Sequence, residues 1–94
     1  MKAIVINEKD NVATAIVDIK KGEKIVIKGR EITLLDDIPM GHKFAIREIK
    51  KGEPIIKYGE IIGIAKEDIK VGQYVHVHNI RSRYQGVREV DIDV

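Results

Sequence analysis

The feature that most constrains this chain is a phrase it states four times. DIKKGEKI (Asp18 to Ile25), DIPMGHKF (Asp37 to Phe44), EIKKGEPI (Glu48 to Ile55) and DIKVGQYV (Asp68 to Val75) share one template. It runs acid, Ile, two variable residues, Gly, two variable residues, then an apolar residue. Each copy reads as an apolar segment entering a polar turn, a Gly suited to positive φ, and an apolar segment leaving it. The spacing of Gly22, Gly41, Gly52 and Gly72 is long, short, long, which predicts two related halves with a turn at each end.

Short runs rich in Ile and Val lie between the turns: KAIVI, TAIVDI, KIVI, KFAIREI, PIIK, EIIGIA and YVHVH. They are bounded by Gly, Pro, Asp or Asn, as strands are. PIIKYGEIIG reads as a hairpin turning at Tyr58-Gly59. Asp10-Asn11 could cap a short helix, but the Val, Thr and Ile that follow favour a strand. With no long amphipathic helix in the pattern, the expected fold class is all-β: one small domain of short strands over residues 1–80. The 81–94 segment has little to bury and runs basic then acidic, so it is expected to be a C-terminal arm or partner-contact segment. Low aromatic content and polar turns argue against a large enclosed ligand cavity.

Composition narrows the function classes. Charged residues are 34% of the 94 residues, yet the formal charge is only +2, with the two signs interleaved. That describes a solvated surface, not the basic stripe of a nucleic-acid binder. One Phe and no Trp supply no stacking platform for single-stranded bases. RSRY, near the C-terminus, is locally basic. Without cysteine there is no disulfide, thiolate nucleophile or cysteine metal site. No apolar run approaches the ~20 residues that cross a bilayer, and MKAIVINEKD lacks a signal-peptide pattern. No membrane association and a cytoplasmic location are expected. Abundant Ile, Lys and Glu without Cys or Trp hint at a thermophile.

Four segments could carry chemistry. In YVHVHN, a strand would place Tyr74, His76 and His78 on one face and Val75 and Val77 on the core face. Two neighbouring imidazoles are candidate ligands for a divalent metal, although a metal site ordinarily takes three or more protein ligands. The alternative is a polar wall of incidental histidines. IKYGEI would offer the Lys57 cation and the Tyr58 phenol at a hairpin tip, or be only a solvated turn. GHK could present His42, Lys43 and backbone N–H groups to an anion. Asn11, in KDNVA, could join a site or cap a turn. The P-loop, GxGxxG, HExxH and GxSxG patterns are missing.

Taken in order, DNVATAIVDIKKGE followed by DIPMGHKFAIREIKKGEPIIKYGEIIGIAKEDIKVGQYVHVHN resembles the N-terminal domain of altronate and galactarate dehydratases, over Ile4 to about Ile80. GHK, the GEPIIKYG block and the closing HVHN carry the resemblance. It implies a SAF-type domain of β-clip architecture. It also implies the chemistry of the whole enzymes, which eliminate water from sugar acids to give 2-keto-3-deoxy acids with a divalent metal, iron or manganese. Their catalytic bulk lies in a longer C-terminal domain. The resemblance therefore implies a small subunit that completes the active site of a separate large lyase subunit, which would hold the metal. The site residues it implies are His42, His76 and His78 in catalysis, with His76 and His78 as metal candidates. For substrate binding it implies Asn11, Lys43, Lys57, Tyr58, Gly59 and Asn79. Two-subunit relatives such as sulfolactate sulfo-lyase leave open whether water or sulfite departs. A SAF module that binds acidic sugars without catalysis and a structural adaptor with incidental histidines are the other readings.

Overall fold

The computed structural model describes residues 1–82, and these form short strands without a helix. The strands are β1 (Ala3–Ile4), β2 (Val12–Ala15), β3 (Lys24–Ile27), β4 (Arg30–Thr33), β5 (Lys43–Ala45), β6 (Pro54–Lys57), β7 (Glu60–Ala65), β8 (Tyr74–Val75) and β9 (Ile80–Ser82). They make an antiparallel sheet in the order β1-β2-β5-β8, a β3-β4 hairpin, and a second sheet in the order β6-β7-β9. The all-β expectation is met. The strand boundary runs past residue 80, because Arg81 pairs with Ile64 and Ser82 with Gly63. The rest of the expected arm, 83–94, lies outside the described residues.

The repeated phrase turns out to be one hydrogen-bonded device used four times. In each copy the Gly N–H donates to a carbonyl on another segment. The N–H of that same partner donates back to the carbonyl of the residue after the Gly. The partners of Gly22, Gly41, Gly52 and Gly72 are Leu34, Ala15, Ala65 and Ala45. The template Ile residues then meet in pairs, Ile19 with Ile38 and Ile49 with Ile69, through reciprocal backbone bonds, and all four are buried. The acids brace the neighbouring turn: Asp18 accepts from the Met40 N–H, Asp37 from Lys21 and Asp68 from Lys51. Ile and Gly recur because each has its own partner across a turn pair, and so does the acid in three copies; Glu48 instead meets Lys50 Nζ of its own turn.

Two cores result, and they share one sheet. Ala13, Ala15 and Phe44 face a cluster with Ile19, Leu34 and Ile38. Their strand neighbours Val12 and Ala45 face the other cluster, with Ile49, Ile55 and Ile69. Strands β2 and β5 thus bury both faces, one toward each core, by the period-two alternation of an extended chain.

Two sequence expectations fail locally. REIT, not expected as a strand, is β4; the Lys28-Gly29 turn joins it to β3, and both turn residues have positive φ. This is the twin of the Tyr58-Gly59 turn, and both are two-residue loops of the kind that match strand twist. YVHVH is strand only over Tyr74–Val75. Residues 76–79 turn, which leaves Val77 67% exposed, not in the core.

Candidate functional site

Antiparallel pairing of β5 with β8 sets Lys43 opposite Val75 and Phe44 opposite Tyr74. Continued one step, the same register brings His42 beside His76, and their ring centroids are 4.9 Å apart. Tyr74 lies at the centre. Its ring is stacked on His76 at 5.4 Å and 9°, its hydroxyl is 2.5 Å from His42 Nδ1, and His78 packs against it at 5.5 Å. His76 and His78 both lean on Tyr74; they do not stand in a row along a strand.

The turn that makes this possible is held by Asn79, which is fully buried. Its Oδ1 accepts from the His76 N–H and its Nδ2 donates to the Tyr74 carbonyl, at 3.0 and 2.7 Å. Lys66 donates through Nζ to the Val77 carbonyl. Asn79 therefore shapes the site from below and, being fully buried, lies out of a substrate's reach. The Asn11 amide bridges the Pro54 carbonyl and the Ile56 N–H and locks β2 onto β6. The backbone anion nest expected at GHK does not form either, because the Gly41 and His42 N–H groups bond to the Ala15 and Pro39 carbonyls.

Lys57 and Tyr58 do occupy a hairpin tip, with the lysine Nζ 5.0 Å from the tyrosine ring centroid. Tyr58 and Gly59 both have positive φ, a strained setting for tyrosine. The buried Asp10 carboxylate anchors this tip. It accepts from the Gly59 N–H at 2.8 Å and the Asn7 N–H at 3.1 Å. Burial pushes Asp10 up, but backbone bonds from Gly59, Asn7, Tyr58 and Ile6 outweigh it and hold the carboxyl below its ordinary range. The Gly59 amide is thus committed to Asp10, and a Cβ there would lie 2.8 Å from Asn7 Nδ2.

Sequence reasoning missed Asp10, Tyr74 and Lys66 as site-builders. It also missed a signal hidden in the repeat. After each template Gly stand Glu23, His42, Glu53 and Gln73. In three copies that side chain caps its own turn, accepting from the N–H of Lys20, Lys50 or Lys70. The corresponding residue in the remaining copy is Pro39, which has no N–H to cap. Position 42 is released from turn duty, and its imidazole faces Tyr74.

Potential cations lie close enough to influence one another. Burial lowers the Lys43 pKa, and the charge on Lys57 lowers it further. Burial likewise lowers His76, with His42, Lys43 and His78 adding to the shift. Such a grouping suits an anion whose charge would reverse these penalties. It does not fit a metal centre by itself. Among the described residues no three His, Asp or Glu side chains are grouped to hold an ion, and His42 already turns Nδ1 to Tyr74. Two cavities, of about 560 and 180 Å³, are lined by other segments. Among the described residues there is no helix long and apolar enough to cross a membrane.

Residues 1–83 match the family of the altronate/galactarate dehydratase SAF domain. The chain belongs to this family. It is 42% identical over 89 residues to altronate dehydratase of Bacillus subtilis (strain 168), covering 94% of this chain and 18% of that protein. The Escherichia coli (strain K12) altronate dehydratase is 44% identical over 82 residues, 87% of this chain and 17% of the relative. The SAF domain thus spans less than a fifth of these relatives. A shorter relative, (2R)-sulfolactate sulfo-lyase subunit alpha of Paracoccus pantotrophus, is 44% identical over 52 residues. That match covers 55% of this chain and 78% of the subunit.

Proposed function

We propose that this SAF domain is the small component of a sugar-acid dehydratase of the altronate/galactarate type, and that its His42–Tyr74–His76 face completes the active site of a separate large subunit in the cytoplasm. The observation that carries the reading is the gathering of His42, His76 and His78 around Tyr74 from separate segments, with Lys43 and Lys57 at the adjoining sheet edge. The alpha-subunit name of the sulfo-lyase relative supports a two-chain arrangement.

The reaction removes a proton α to a carboxylate and expels hydroxide from the adjacent carbon. Lys43 and Lys57 would meet the substrate carboxylate, where a negative charge offsets their mutual repulsion. Uncharged His76 suits a proton acceptor or hydrogen-bond partner, and His78, on the exposed turn, lies where a second chain can reach it. The divalent iron or manganese would be supplied by the large subunit, where it would polarise the carboxylate and hydroxyl oxygens. Sulfite replaces hydroxide as leaving group in the second reading, which the sulfo-lyase relative favours.

Anaerobic affinity purification of the tagged chain from its native cells, with mass spectrometry of what accompanies it, tests the proposal. A stoichiometric large partner whose complex acts on altronate, galactarate or sulfolactate is expected. His76→Ala combined with His78→Ala should lower that activity by about 10²–10⁴-fold with the domain still folded. A chain that purifies alone, or full activity of the double variant, would overturn it.

A further inference from the structure

Tyr74 belongs to none of the residues through which a substrate contact was expected, yet it touches all three histidines. Its hydroxyl is 2.5 Å from His42 Nδ1, its ring lies parallel to His76, and its N–H is fixed by the Asp36 carboxylate. The ring is half-buried against the first core, so its position is set by packing. His42 is equally constrained, since its N–H and carbonyl are committed to Pro39 and Ala15. The two side chains are therefore held together by two rigid segments and not by a chance surface encounter.

The chemistry of this pair has a direction. A phenol is a good donor and a poor acceptor, because its oxygen lone pairs are delocalised into the ring. The unprotonated nitrogen of a neutral imidazole is a good acceptor. We propose that Tyr74 is a positioning residue that donates its hydroxyl proton to His42 Nδ1, so that neutral His42 carries its hydrogen on Nε2 and presents an N–H donor. A bound oxygen would then meet a donor on His42. Abstraction of a proton by His42 Nε2 is excluded in that state, because the nitrogen is already protonated. If His42 becomes cationic, Nδ1 donates to the Tyr74 oxygen and Nε2 keeps its hydrogen. The Nε2 face is a donor in both states.

The inference deepens the proposed active-site role but rests on the geometry of this chain alone, so its test needs no partner. Uniformly ¹⁵N-labelled protein is studied by long-range ¹H–¹⁵N correlation of the imidazoles, at a pH where His42 is neutral. The expected pattern for His42 is the Nε2–H tautomer at nearly full occupancy. In Tyr74→Phe, which keeps the ring against His76, the His42 pattern should shift to a mixture, while amide signals of the second core hold still. A His42 that carries its hydrogen on Nδ1 in the wild-type chain would overturn the proposal, as would a tautomer unchanged by Tyr74→Phe. Since the wild-type spectrum alone discriminates, a variant that failed to fold would leave the test intact. A correct tautomer together with a chain that purifies alone would retain this inference and reject the lyase role.

Discussion

At the scale of single residues, the site is built by side chains that never reach it. Asn79 bridges the His76 N–H and the Tyr74 carbonyl with its amide, and Asn79→Ala would leave both polar groups without their partner in a buried turn. A loss of about 2–6 kcal/mol is expected in urea denaturation, from about one to three per unpaired group. His76 makes a prediction about pH. Its folded-state pKa is lowered by burial and then by the charges of His42, Lys43 and His78, so the unfolded chain takes up a proton first. Stability should fall as pH drops through the ordinary histidine range, near 6.5 and below, and should be regained above it. In His76→Gln that part of the slope disappears, as paired thermal melts between pH 5 and 8 would show. Asp10, also lowered, acts in a separate and more acidic window below its ordinary value of 3.8, where protonation loosens the Tyr58-Gly59 tip. GHK singles out His42 as a candidate, but not its orientation, which follows from Pro39 lacking the donor that Glu23, Glu53 and Gln73 serve in the sister turns.

At the scale of elements, the four template turns look interchangeable in sequence and differ in their surroundings. Gly52 and Gly72 have φ near +89 and +88°, and both would strain any other residue. A Cβ on Gly52 meets nothing within 4 Å, whereas one on Gly72 would lie 2.2 Å from the Thr33 carbonyl oxygen. Gly52→Ala should cost about 1–2 kcal/mol, the penalty of the left-handed conformation alone. Gly72→Ala should cost roughly 4 kcal/mol or more, because backbone must move. Chemical denaturation of the two variants side by side checks the difference. The hairpins show the same limit of local reading. KYGE was recognised as a turn because Ile pairs flank it, while its twin at Lys28-Gly29 was missed because Arg30 and Glu31 dilute the apolar pattern of β4. That hairpin has one sheet neighbour per strand and exposes Val26, so little burial is written into its sequence.

At the scale of the whole molecule, the two halves are tied by β2 and β5, which contribute to both cores. Neither core can be lost without exposing one face of the shared strands, so unfolding should be a single cooperative step. Ile69→Ala, in the second core, should cost about 2–5 kcal/mol. It should shift the melting curve read by tyrosine fluorescence, which includes Tyr74 beside the first core, as much as the curve read by far-ultraviolet circular dichroism. Separate transitions would mean two independent units. The sequence by itself determined the strand-and-turn alphabet, the duplication, and the family, because acid, Ile and Gly at fixed spacing each satisfy a local requirement of the turn. Only the tertiary structure decided which copy faces which, that HVHN turns instead of extending, and that Tyr74 gathers the histidines. Those outcomes depend on register between strands far apart in the chain and on which polar groups burial leaves without water. A local pattern records neither.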